Sequence, residues 1–236
     1  MQWEYPVYKE PTQEKDGTVA KRAKRALSRE EAIAYIRGDD PRPLLVLREC
    51  KVCNGTDDAL LKGGEGNENT YLLARWFHCV KLPVDVMEEN HPFHNIFQEK
   101  GMEHLFVCSA DGSNHDPLES QTSRTELWDS MRTLLSKEYK KKPKSSLKQI
   151  NKLLDKLDVV DTRLGQLKAE REETLIEDGP KSKKVAKLDK KIAKEESERT
   201  KLHGQIAKAS VLDLKRKKIE PEPQAEKKSA DKEGES

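Results

Sequence analysis

The chain has 236 residues, of which 34% are hydrophobic, 37% charged and 5% aromatic, too few core residues for one packed domain, so two unlike parts must share it. Lys and Arg number 45 against 43 Asp and Glu, a net charge of +2, and this removes any global field that would demand nucleic acid or an anionic surface. No apolar run reaches the roughly 18 residues of a membrane span, and Met1-Gln2-Trp3-Glu4-Tyr5-Pro6 has neither the basic start nor the apolar middle of a signal peptide, so the expected compartment is the reducing cytoplasm.

Residues 1–27 carry Pro6, Pro11, Gly17 and the basic run Lys21-Arg22-Ala23-Lys24-Arg25, and read as a flexible or loosely docked lead-in with a solvated basic face. Ser28-Arg29-Glu30-Glu31 is a capping box, because the Ser28 hydroxyl and the Glu31 carboxylate can each satisfy the other's backbone N–H. The helix it starts turns Ala32, Ile33 and Ile36 inward and closes at Gly38. Asp39-Asp40-Pro41-Arg42-Pro43 then leads into Leu44-Leu45-Val46-Leu47, a buried strand.

Cys50-Lys51-Val52-Cys53 follows almost at once, and residues 54–61 read as a helix start. A buried strand that delivers two thiols to the first turn of a helix is a redox arrangement: backbone N–H groups and the positive end of the helix dipole favour a thiolate there. Gly63-Gly64-Glu65-Gly66-Asn67 interrupts that helix as an insertion beside the thiols, and it lacks the Gly-Lys-Ser/Thr ending of a phosphate loop. A helix restarts at Asn69-Thr70, with Tyr71, Leu72, Leu73, Trp76 and Phe77 as its apolar surface. A second strand runs from Cys79 to Val86 at period two, with Pro83 arguing for an edge or an end.

Asn90-His91-Pro92 caps a short helix carrying Phe93, Ile96 and Phe97 and ended by Gly101; His104 to Cys108 is a third strand. Asp111-Gly112 signals a hairpin into a short partner strand within residues 114–118, and Ser123 or Thr125 opens a helix with Leu127, Trp128, Met131, Leu134 and Leu135 on one side. The order is strand, helix, strand, helix, strand, hairpin strand, helix. A helix between the first two strands favours parallel pairing by a right-handed crossover.

This stretch, residues 28–142, resembles the thioredoxin-like superfamily. The resemblance rests on the Leu44–Leu47 strand entering Cys50-x-x-Cys53, on a second strand ending in Val84-Asp85-Val86, and on Val107 and Asp111-Gly112 before a final amphipathic helix. It implies that Cys50 is the exposed nucleophile and that Cys53 resolves the mixed disulfide. Two departures stand out: the family usually has an aromatic residue before the first cysteine and often Gly-Pro between the two, where this chain has Glu49 and Lys51-Val52. Where the family places a cis-proline ahead of the third strand, this chain reads Met102-Glu103-His104.

Other constellations carry weaker chemistry. Cys50, Cys53, Cys79, Cys108, His78, His91 and His94 contain donors for a zinc ion, but a zinc knuckle ordinarily brings a second close cysteine pair, and Cys79 and Cys108 are single and strand-borne. His91-x-x-His94 reads as solvated or capping histidines, and Asp111 to Asp116 as a turn without calcium-loop spacing. No metal and no cofactor is called for.

From residue 145 to 218 the chain is rich in Lys and Glu with aliphatics at three-four spacing, broken once at Asp178-Gly179-Pro180. Folded there, Leu167 meets Ile192, Leu157 meets Leu202, Leu153 meets Ile206 and Leu147 meets Leu212, an antiparallel coiled-coil hairpin. Arg171 opposite Leu188, Leu164 opposite Glu195 and Val160 opposite Arg199 are misfits in that register. Residues 219–236, with Pro221 and Pro223 and no apolar period, read as a disordered tail.

The expected molecule is thus a thioredoxin-like α/β sandwich followed by a helical hairpin. Its expected activity is thiol–disulfide exchange through Cys50 and Cys53 on a protein disulfide. The alternatives are a non-catalytic interaction protein whose hairpin binds a partner or itself, and a zinc-stabilised module.

Overall fold

The computed structural model describes residues 1–9, 25–49, 66–97, 104–118 and 122–215. Among the described residues nine helices and strands follow one another: α1 (Arg29–Arg37), β1 (Leu44–Arg48), α2 (Glu68–Ala74), β2 (His78–Leu82), β3 (Leu105–Cys108), β4 (Asp116–Leu118), α3 (Arg124–Glu138), α4 (Pro143–Asp178) and α5 (Lys183–Ser210). Single 3-10 turns lie at Val84–Met87 and His94–Phe97.

The four strands form one mixed sheet in the order β2-β1-β3-β4. β1 runs parallel to β2, with Val46 beside Val80, and antiparallel to β3, with Val46 beside Phe106; β3 and β4 pair antiparallel. All five residues of β1 are buried, as a strand covered on both faces requires. Alternation divides the sheet's side chains. Leu44, Val46, Val80, Leu82, Phe106 and Cys108 meet Ala32, Ile33 and Ile36 of α1 and the aromatic rings of Phe93 and Phe97. Leu45, Leu47, Cys79, Leu105 and Val107 meet Leu72 and Leu73 of α2 and Leu127, Met131 and Leu135 of α3.

The capping box expected at Ser28 forms with Glu31, and the structure adds a second at Ser123 with Glu126, which settles the helix start on Ser123. Backbone and side-chain hydrogen bonds at those serines hold both glutamate carboxyls below the usual carboxylate range. The β3–β4 turn is set by Gly112 at φ +79°, with the Asp111 carboxylate accepting from the Ser113 N–H at 3.0 Å.

Three expectations need correction. β2 ends at Leu82, so Val84-Asp85-Val86 is a 3-10 turn and not the end of a strand. Pro83 has no N–H for the ladder, and its carbonyl accepts instead from the Val86 N–H at 3.4 Å. The helix within residues 90–101 is likewise only a 3-10 turn, at His94–Phe97, among the described residues. Leu212 does not lie on the helix, because α5 stops at Ser210; it packs, half-buried, against the core that also holds Leu147.

Residues 1–9 lie along the outer side of β2. Glu4 N–H donates to the Cys79 carbonyl and Lys81 N–H to the Glu4 carbonyl, both at 2.9 Å, so the edge of β2 is covered there. Residues 216–236 lie outside the described residues.

α4 and α5 pack against each other over their length, at 1.5 Å per residue about 50 Å for the longer. Leu147, Ile150, Leu153, Leu157, Val160 and Leu164 of α4 are buried, as are Val185, Leu188, Ile192 and Leu202 of α5. Ion pairs cross between them at Asp161–Arg199, Lys168–Glu196 and Arg171–Asp189, each later residue of one arm meeting an earlier residue of the other. The two helices are therefore antiparallel. Arg171 and Arg199, the misfits of the sequence register, turn out to the neighbouring aspartates beside the seam.

The base of this pair is fastened to the sheet domain. The indole N–H of Trp76 donates to the Ser210 carbonyl at 2.7 Å, and the Tyr139 hydroxyl donates to the Trp76 carbonyl at 2.7 Å. Lys140 N–H donates to the Asp213 carbonyl and Lys215 N–H to the Glu138 carbonyl, closing a β-bridge between Tyr139 and Leu214. The apolar seam of α4 and α5 runs without a break into the core beneath β1 and β3.

Candidate functional site

Cys50 and Cys53 lie outside the described residues, as does the segment 50–65 that follows β1. The platform that leads to them is described. β1 is an interior strand, and its C-terminal end carries Arg48, 7% exposed. An arginine enters a core only if its guanidinium is bonded there. Arg48 Nη2 sits 3.0 Å from Nδ1 of His104, and its Cζ lies 5.7 Å from the centre of the Phe97 ring. A guanidinium can only donate, so His104 Nδ1 is the acceptor and the ring proton is on Nε2. The Arg48 backbone N–H also donates to the His104 carbonyl at 2.7 Å.

His104 occupies the place immediately before the third strand where the resemblance expects a cis-proline. Among the described residues no peptide bond is cis.

Glu49, next to Cys50 in the chain, is tied down twice. Its N–H donates to the Leu82 carbonyl at 2.9 Å, and its carboxylate meets Lys81 Nζ at 2.9 Å. The negative charge that would oppose a thiolate at Cys50 is thereby offset by a neighbouring ammonium.

The other two cysteines are inert by position. Cys79 is 5% exposed, its thiol directed at the Ala74 carbonyl at 3.6 Å, and burial pushes that thiol up to about 12. Cys108 is fully buried. The two lie on opposite faces of the sheet, Cys79 with Leu45 and Cys108 with Leu44, so no single metal ion can reach both. Among the described residues no group of three His, Cys, Asp or Glu side chains is gathered for a metal. His91 acts as a cap, its Nδ1 accepting from the Phe93 N–H at 3.1 Å.

A second polar cluster, not anticipated from the sequence, sits at the opposite end of the parallel strands. His78 is 6% exposed; its Nδ1 is 3.0 Å from the Asp40 carboxylate, and its Nε2 is 3.1 Å from the Ile36 carbonyl and 3.3 Å from Glu4. Arg42 donates to Asp40 from its backbone N–H, from Nε and from Nη2, the last at 2.6 Å. Burial alone would raise the Asp40 carboxyl, but the hydrogen bonds from His78 and Arg42 outweigh it and hold the group well below the usual carboxylate range. A cavity of about 860 Å³ opens beside this cluster, lined also by Trp3, Tyr71 and Arg75. His78 and Cys79 are successive strand residues and point to opposite faces, so the cluster offers His78 no thiol. Neither this cavity nor a groove of about 750 Å³ on the helical pair touches the end of β1.

Sequence reasoning missed Arg48 with His104, and Asp40 with His78. The one available signal was a charged residue closing an aliphatic strand.

No protein-family model, no curated protein and no solved structure matches this chain. Among the described residues no helix is long and apolar enough to cross a membrane.

Proposed function

We propose that residues 28–142 form a thioredoxin-like domain that exchanges thiols with a protein disulfide through Cys50 and Cys53. One observation carries this reading: the all-buried interior strand β1, parallel to β2 and antiparallel to the β3–β4 pair, ends one residue short of Cys50. Cys50 Sγ, as thiolate, attacks one sulfur of the partner disulfide; a new S–S bond forms and the partner's other sulfur leaves as thiolate. Cys53 Sγ, deprotonated in turn, attacks Cys50 Sγ, releases the partner's second thiolate and leaves a Cys50–Cys53 disulfide for an external dithiol to reduce. The Lys81–Glu49 pair favours the first step by offsetting the carboxylate beside Cys50. The buried Arg48–His104 contact stands at the foot of β3, where the resemblance expects a proline that faces the disulfide.

The test is trapping. The Cys53→Ser variant accumulates mixed disulfides that a reductant releases, and Cys50→Ser together with Cys53→Ser accumulates none. Equal labelling of the two variants refutes the reading.

A second reading is favoured by the fastened base of α4 and α5. An antiparallel coiled-coil hairpin held by Trp76, Tyr139 and the Leu214 bridge is a rigid arm, suited to binding another protein surface whether or not the thiols turn over. The cytoplasm, where thiols stay reduced, suits both readings. Interspersed glutamates make the arm's lysines a solvated surface and not a nucleic-acid track.

A further inference from the structure

The groove of about 750 Å³ lies midway along the helical arm, floored by the buried seam residues Val160 and Leu202 and walled on one side by Val159, which is 50% exposed. A lone exposed valine is ordinary on a protein surface. The charges around this one are not random. On an α-helix, positions four and eleven residues to either side of Val159 share its stripe. Those positions are Asp155 and Arg163, then Lys148 and Glu170: opposite signs at equal distances on either side of the valine. The intervening positions on the stripe are Lys152 against Gln166 and Lys156 against Thr162, with no like-charged pair. All of these side chains are exposed, and among the described residues neither Asp155 nor Arg163 makes an ion pair.

A stripe whose charge reverses sign through its midpoint is complementary to itself when turned end for end. We infer that α4 docks on α4 of a second copy of this chain, antiparallel about a twofold axis at Val159, so that Asp155 meets Arg163 of the partner and Arg163 meets its Asp155. The same axis sets Lys148 against Glu170 of the partner and covers the groove over Val160 and Leu202. The isologous contact needs only one kind of surface, present once per chain. It also adds two desolvated valines and four charge pairs, a modest interface in which register is set by charge.

This inference rests on the arm reading and goes beyond the thiol chemistry. Sedimentation equilibrium of the full chain at low ionic strength tests it. The wild-type chain associates to a dimer, and D155R and R163D each weaken association by about tenfold or more, because each places like charges across the axis. The double variant D155R/R163D restores association to within about threefold of wild type, since the pairs are only exchanged. V159E abolishes the dimer. A wild-type chain that stays monomeric at roughly 0.1 mM, leaving the groove to some other partner, overturns the inference, as does a double variant no better than the singles. Far-ultraviolet dichroism of the same samples separates the readings: full helical content with a monomer mass refutes the pairing alone, and lost helical content refutes the arm itself.

Discussion

Tyr139→Phe tests whether the helical arm is fastened to the sheet domain. The phenol is 3% exposed and gives its proton to the Trp76 carbonyl at 2.7 Å. Burial pushes its ionisation above the usual tyrosine range, so it remains a donor at any ordinary pH. Phenylalanine keeps the ring and removes only the hydroxyl. The lost hydrogen bond contributes about 1 kcal/mol net, and the buried carbonyl left unpaired adds a further penalty, so the total is about 2 kcal/mol. For a chain of this size that lowers Tm by about 4–8 °C. Urea unfolding measures the change, with the denaturant slope unaltered because the surface exposed on unfolding is the same. Hydrogen exchange locates it: the Lys140 and Lys215 amides, which close the neighbouring bridge on Asp213 and Glu138, lose protection before the middle of the arm does. A stability within about 0.3 kcal/mol of wild type, with Lys140 and Lys215 exchanging at the wild-type rate, would refute a fastened base.

Asp40→Asn should destabilise the protein at pH 7 by about 1–3 kcal/mol, since it removes the acceptor of three charge-assisted bonds from Arg42 and His78. The Asp40 carboxyl is depressed on folding, so its contribution is complete above the unfolded value near pH 4 and fades below it; acid titration of stability should show the gap between variant and wild type closing from about pH 4 downward. Native-state alkylation at pH 8 should leave Cys79 and Cys108 unmodified while both react in denaturant, because both are buried and the Cys79 thiol is pushed up to about 12. Gly112→Ala should cost about 1–2 kcal/mol in thermal unfolding, since the position holds φ +79° and a Cβ would come within 3.3 Å of Ile33 Cγ2.

Local signals in the sequence carried much of this fold. The box at Ser28 starts a helix where the sequence places it, because a cap is decided within four residues, and of the two starts the sequence allowed for the later helix, Ser123 and Thr125, Ser123 is the cap. The aliphatic run Leu44–Leu47 became the interior strand, and the crossover through a helix gave the parallel pairing with β2. Where a reading went astray, a longer-range or competing demand had intervened. Val84 and Val86 alternate like strand residues, yet Pro83 had already ended the ladder. Arg199 seemed to spoil the seam at Val160, whereas its long stem carries the charge out to Asp161, one residue further along. Leu212 has the right spacing for a hairpin, but the backbone of residues 213–215 is claimed by Glu138 and Lys140.

The polar clusters were less legible still. Asp40 and His78 are 38 positions apart and meet only because parallel pairing aligns the starts of β1 and β2. Arg48 and His104 meet because antiparallel pairing carries β1 one step past Leu105. Such contacts are set by sheet register, which period-two patterns leave undetermined between strands. The candidate thiols Cys50 and Cys53 lie outside the described residues, and the strand that precedes them ends in a buried Arg48 followed by a paired Glu49.

The central claim is that Cys50 and Cys53 form one redox couple at the end of β1. Equilibration of the full chain in glutathione buffers, quenched by alkylation and mapped by mass, measures it directly. The account predicts a single two-electron transition, with Cys50 and Cys53 protected together as a disulfide at a potential within roughly −300 to −120 mV, while Cys79 and Cys108 remain reduced thiols. Cys50 and Cys53 that stay independently alkylated in fully oxidised glutathione, or that carry glutathione separately without joining each other, would contradict it.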